Sequence, residues 1–136
     1  MQRIAQIALV VADYDEAIEF YTQKLGFSLV EDTVLSETKR WVVLQPSGGP
    51  GDATRLLLAK AATDQQKNSI GNQTGGRVFL FMYTDDLLGD YEKMTAAGVE
   101  FVRGPEEQPY GIVAVFKDLY GNLWDLIQPV GIHNEK

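Results

Sequence analysis

The sequence predicts an α+β fold made of two tandem β-α-β-β-β modules, whose curved mixed sheets enclose a cleft. Three observations predict it. Short β-branched and aromatic runs are bounded by Gly, Pro, Asn and Asp, as strands are. Apolar residues recur at helical spacing once in each half. The punctuation also repeats: Asp13 and Gly26 return as Asp85 and Gly98, 72 residues further on in both cases. A repeat of that kind signals an internal duplication. A four-stranded sheet with one helix on its back still needs cover on its other face, and two such modules facing each other supply it.

At 136 residues the chain is long enough to bury a core without staples. Module one is expected over about 1–61, a connection over 62–76, module two over 77–130 and a tail over 131–136. The absence of Cys excludes disulfides, thiolate catalysis and zinc-thiolate sites. A net charge of −7 disfavours nucleic acid, which needs a basic footprint, and leans if anything toward cationic ligands. No apolar run approaches the ~20 residues of a membrane span. Met1-Gln2-Arg3-Ile4 passes into a strand pattern without a signal-peptide layout, so the expected location is cytoplasmic, with no membrane partner.

The first module opens with a strand over 4–11, in which Gln6 is the one polar interruption. Asp13 is the expected N-cap of a helix carrying Ala17, Ile18, Phe20, Tyr21 and Leu25, which Gly26 stops. Strands follow at 27–31, 41–45 and 55–59, the last two separated by turn residues over 46–52. Gly48-Gly49-Pro50-Gly51 lacks the spacing and helix of a phosphate loop. The polar stretch 62–76 is either an ordinary connection or cover over a pocket. The second module repeats the pattern: a strand over 77–83, Asp85 as cap, a helix over 87–97 stopped by Gly98, a strand over 99–102 and a loop over 103–109. Glu106 and Glu107 on that loop read as solvated.

The last stretch, 114–127, reads as a hairpin turning at Asp118-Leu119-Tyr120-Gly121-Asn122. It ends in Asp125, a carboxylate inside an apolar strand, which needs a partner or a purpose. The Asp-x-x-Gly-Asn turn with an acidic residue soon after it resembles the closing signature of the vicinal oxygen chelate superfamily. That superfamily includes glyoxalase I, the extradiol dioxygenases and the bleomycin-resistance-type binding proteins. Ala8-Leu9-Val10-Val11, Asp13, Ala17-Ile18, Phe20-Tyr21 and Leu25-Gly26-Phe27 resemble its opening signature.

The resemblance implies where a divalent metal would be held: about one ligand from each of the first, fourth, fifth and eighth strands. Those positions fall on Gln6, Leu57, Phe79 and Asp125. Two are hydrocarbon, and two donors do not make a transition-metal site. The sole His, His133, sits in the tail, so extradiol chemistry on two His and a carboxylate is not expected. Glyoxalase chemistry needs a metal to hold its enediolate. No cofactor is therefore expected. The expected function is binding of a small molecule in the inter-module cleft without a divalent metal; the alternative is a metal-dependent or metal-altered lyase or isomerase of glyoxalase type. The expected assembly is a homodimer.

The candidate ligand-contacting residues are Gln6, Trp41, Arg55, Leu57, Phe79, Phe81, Tyr110 and Asp125. Each carries a plainer alternative. Gln6 can bond a neighbouring strand, Trp41 and Phe79 can be core, and Asp125 can be an edge residue or a buried partner of Arg55. Alternation places Phe79 with Phe81 and Tyr83, and sets Trp124 under a helix. Tyr110 enters by analogy with family members alone.

Overall fold

Alternation along the first strand sets the plan of the molecule. In β1 (Gln6–Val11), Leu9 and Val11 are fully buried, whereas Ala8 on the other face is exposed. The computed structural model describes residues 1–51 and 53–131; His133 lies outside the described residues. Two units are present, Met1–Gln73 and Thr74–Lys136.

Unit one continues with α1 (Tyr14–Glu19), a π-helical turn over Phe20–Lys24, β2 (Ser28–Val34), β3 (Arg40–Gln45), β4 (Arg55–Lys60) and α2 (Asp64–Asn68). Its strand order is β1-β4-β3-β2, with β1 parallel to β4 and the other pairs antiparallel. Leu9, Val11, Leu56, Leu58, Val42 and Leu44 are buried in the sheet, together with Tyr14, Ala17 and Tyr21 from the helical segment. Burying such side chains supplies the main driving force for folding. Asp13 caps α1 as expected, accepting from the Glu16 N–H at 2.9 Å. Arg40 ties the sheet to the helix. Its guanidinium donates to Asp15 at 2.9 Å and to Asp32 at 2.7 and 3.1 Å, and lies 5.2 Å from the Tyr14 ring centre. That bonding holds the Asp32 carboxyl below the usual carboxylate range.

Stretch 62–76 contains α2, capped by Thr63, and the unit boundary falls between Gln73 and Thr74. Gln73 closes the free edge of β1. Its side-chain amide donates to the Ala8 carbonyl at 2.9 Å and accepts from the Val10 N–H at 3.2 Å, as a neighbouring peptide would.

Unit two comprises β5 (Val78–Tyr83), α3 (Leu87–Ala96), β6 (Phe101–Gln108), β7 (Gly111–Lys117) and β8 (Leu123–Pro129), in the order β5-β8-β7-β6. The parallel outer pair and antiparallel remainder match unit one, as the duplication predicts. On the helix side, Phe116 stacks on Trp124 at 5.8 Å, Phe101 lies 5.6 Å from Phe116, and Tyr91 of α3 meets Phe101 at 4.6 Å.

Three local expectations need correction. The cap of α3 is Asp86, not Asp85: Asp86 has the extended φ of −148° and accepts from the Gly89 N–H at 3.1 Å. From cap to stopping glycine is thus thirteen residues in unit one and twelve in unit two, and the π-helical turn takes up the difference. The expected loop over 103–109 is mostly strand, because β7 offers a partner edge and the register shift between Arg103 and Glu106 absorbs Gly104 and Pro105. The run from 27 lengthens into β2 through Val34, since β3 begins at Arg40 and pairs with it throughout.

Candidate functional site

Most of the candidate residues lie on the face of their sheet away from its helix; Phe79 and Tyr110 do not. In unit one, Gln6 stands opposite Arg55, and Arg55 reaches Gln45 on the next strand. One step along lie Ala8, Leu57 and Val43, paired across three strands. Trp41 shares the parity of Val43 and Gln45, so Gln6, Arg55, Leu57 and Trp41 belong to one face. Arg55, weighed as a partner for Asp125, is bonded within its own unit. Its Nε donates to Gln45 Oε1 at 2.9 Å and its Nη2 to the Gly51 carbonyl at 3.0 Å.

In unit two a single row crosses the sheet: Phe81, Asp125, Val115 and Arg103. Tyr83 and Ile127 follow in the next row. Phe81 and Tyr83 are large rings left 64% and 68% exposed, an unusual concession for a strand and one that suits contact with another apolar body. Phe79 does not travel with them. The β5–β8 register shifts between Val78 and Leu80, and the Phe79 ring meets Trp124 edge-on at 6.0 Å, on the helix side. Tyr110 forms a two-residue turn with Pro109, is exposed, and precedes Val115 of β7 by five positions.

Asp125 is half-buried, and within its unit it makes no hydrogen bond or ion pair among the described residues. Burial pushes its carboxyl above the usual range, while the charge of Arg103 pulls the other way. Its strand neighbours Leu126 and Trp124 are buried, which fixes the backbone that presents it. Among the described residues, no three His, Cys, Asp or Glu side chains gather where they would hold a metal ion. Gln6 and Asp125 offer oxygen; Leu57 and Phe79 offer hydrocarbon.

Two residues outside the expected set belong to these faces. Gln45 orients Arg55, and its parity with Trp41 was the signal available in the sequence. Arg103 shares the Asp125 row, but parity has no meaning in a presumed loop. No helix among the described residues is long and apolar enough to cross a membrane.

Comparison with known proteins agrees with this geometry. An uncharacterized protein of Shewanella frigidimarina is 60% identical over 93% of each chain. A probable lactoylglutathione lyase of Vibrio cholerae is 30% identical, covering 96% of this chain and 94% of its own. The crystal structure of TnmS3, an antibiotic binding protein from Streptomyces sp. CB03234, superposes with a TM-score of 0.75 at 29% identity, covering 95% of this chain and 97% of that one. The family model matches residues 3–126, and both sheets have the expected architecture: the chain belongs to the glyoxalase/bleomycin resistance protein/dioxygenase superfamily.

Proposed function

We propose that this protein binds a small, flat or aromatic molecule on the helix-free faces of its sheets, without a resident divalent metal. The observation that carries the reading is the pairing of Leu57 with Ala8 and Val43: one expected ligand position is an apolar surface. The exposed rings of Phe81 and Tyr83 beside Asp125 support it, since aromatic faces and one polar group are what a flat ligand needs. An antibiotic binding protein of the same fold is further support. The second reading, a glyoxalase-type lyase or isomerase, is favoured by the Vibrio cholerae relative.

The two readings separate by metal content and thermal shift. Protein purified without chelator is expected to hold no stoichiometric metal. Its Tm should not move with Zn²⁺, Ni²⁺, Mn²⁺ or Fe²⁺, and should rise with flat aromatic compounds. Stoichiometric metal, with a rise in Tm when it is restored to stripped protein, would put the lyase reading first. The reading also includes a homodimer in the cytoplasm; light scattering that shows only monomer at working concentration would remove the dimer.

Asp125→Asn is expected to act in opposite directions on stability and binding. The raised carboxyl means that the folded state prefers the protonated form. Its contribution to stability is therefore present below the unfolded value near ~3.9 and lost as pH rises through the folded value. The Asn variant should consequently have a higher Tm than the parent at pH 7 and no advantage near pH 3. Binding of a ligand hydrogen-bonded to Asp125 should weaken by roughly 1–3 kcal/mol. Lower stability at pH 7 would instead mark Asp125 as a structural partner.

A further inference from the structure

We infer that Arg55 is an anion subsite, holding an ionised oxygen (a carboxylate or phenolate) of the small molecule, with Gln6 beside it; this rests on the small-molecule reading above. The argument begins with what holds the guanidinium. Arg55 is fixed through two donors, Nε to the Gln45 side chain and Nη2 to the Gly51 carbonyl. Both acceptors are neutral. The fork has further N–H groups, and its Nη1 edge makes no hydrogen bond among the described residues.

Arg40 in the same sheet shows the other arrangement. It is met by two carboxylates, Asp15 and Asp32, and its charge is spent on the fold. Among the described residues Arg55 has no carboxylate within ion-pair distance. Among the described residues its acceptors are neutral groups alone, and a planar guanidinium matches an oxyanion bidentately.

The surroundings define the rest of the ligand. Gln6 stands directly across from Arg55, about 4.8 Å away along the hydrogen-bonding direction, and its amide makes no hydrogen bond among the described residues. The next row is apolar: Ala8, Leu57 and Val43. Two residues of strand advance about 6.6 Å, so an oxyanion at Arg55 sets an attached ring over Leu57, with Trp41 about one row beyond. The chemical class is therefore a flat weak acid. The net charge of −7 does not oppose this at contact, because its field is screened beyond about 8 Å at physiological salt while the guanidinium acts at hydrogen-bond range.

The test uses a matched pair of probes, anthraquinone-2-carboxylate and anthraquinone-2-carboxamide, titrated at pH 7 by calorimetry against the parent, Arg55→Gln and Arg55→Lys. The carboxylate is expected to bind the parent about tenfold or more tightly than the amide. Arg55→Gln should abolish that preference, so that the variant binds the carboxylate no more tightly than the amide. Arg55→Lys keeps the charge but loses the fork, so it should retain part of the preference; it also serves if circular dichroism shows the Gln variant unfolded. Equal affinity of the two probes for the parent overturns the anion subsite and leaves the small-molecule reading standing. A preference that survives in Arg55→Gln overturns the assignment to Arg55. Binding of neither probe, together with no shift from the aromatic panel, overturns both.

Discussion

Asp118→Ala is expected to lower the unfolding free energy by about 3–4 kcal/mol, because one carboxylate organises the whole β7–β8 turn. Asp118 Oδ1 accepts from the N–H groups of Tyr120, Gly121 and Asn122 at 3.0, 3.0 and 2.9 Å. Its Oδ2 accepts from the Asn122 side-chain amide at 2.9 Å. Both residues are buried, at 5% and 3% exposure, so water does not replace the acceptor lost to the Asn122 backbone and side-chain amides. Each stranded buried donor costs about 1–3 kcal/mol, and the losses are not additive because the donors share one acceptor and one turn. Urea unfolding should show a lower midpoint with an unchanged slope. A loss below about 1 kcal/mol would mean that the backbone holds the turn by itself. The turn joins the strands bearing Val115 and Asp125, so its loss also loosens the row that presents Asp125.

Gly111→Ala should cost about 2–4 kcal/mol, by a different route. Gly111 has a φ of +148°, outside what side chains tolerate. A Cβ there would run into the Gln128 carbonyl oxygen and lie 3.0 Å from both the Gln128 carbonyl carbon and the Pro129 Cα. Those neighbours are backbone of β8, which cannot step aside without breaking its pairing with β7. Thermal unfolding provides the measurement, and a Tm within a degree of the parent would show that the hairpin relaxes freely. The sequence marks Gly111 only as a residue near a turn; its necessity depends on a strand some seventeen residues later.

That contrast describes what the sequence makes legible. The modules, the Asp13 cap, the Asp118 turn and the placing of Trp124 under a helix follow from local chemistry and parity, and the structure bears them out. Parity also groups Gln6, Arg55, Leu57 and Trp41 on one face. It fails where the count slips. At Phe79 a register shift separates the ring from Phe81 and Tyr83, and bulges need a partner strand to exist, so one strand's sequence cannot announce them. Arg103 is hidden for a related reason, because Gly104 and Pro105 read as a loop until β7 supplies an edge. The partners of Arg55 are legible only as a pair of strands, since Gln45 is ten positions away.

The wide helical turn over Phe20–Lys24 bears on how two copies of one module drift apart. An extra residue in a strand, unless a bulge takes it up, would send every later side chain to the opposite face. In a regular helix it would swing the following face by about 100°. Taken up in a π turn, the extra residue changes neither, and Phe27 is still buried with its N–H bonded to the Tyr21 carbonyl at 2.9 Å. A gene can gain or lose a codon at that turn without rewriting either sheet, so the helix records the divergence of the halves while the strands keep their common plan.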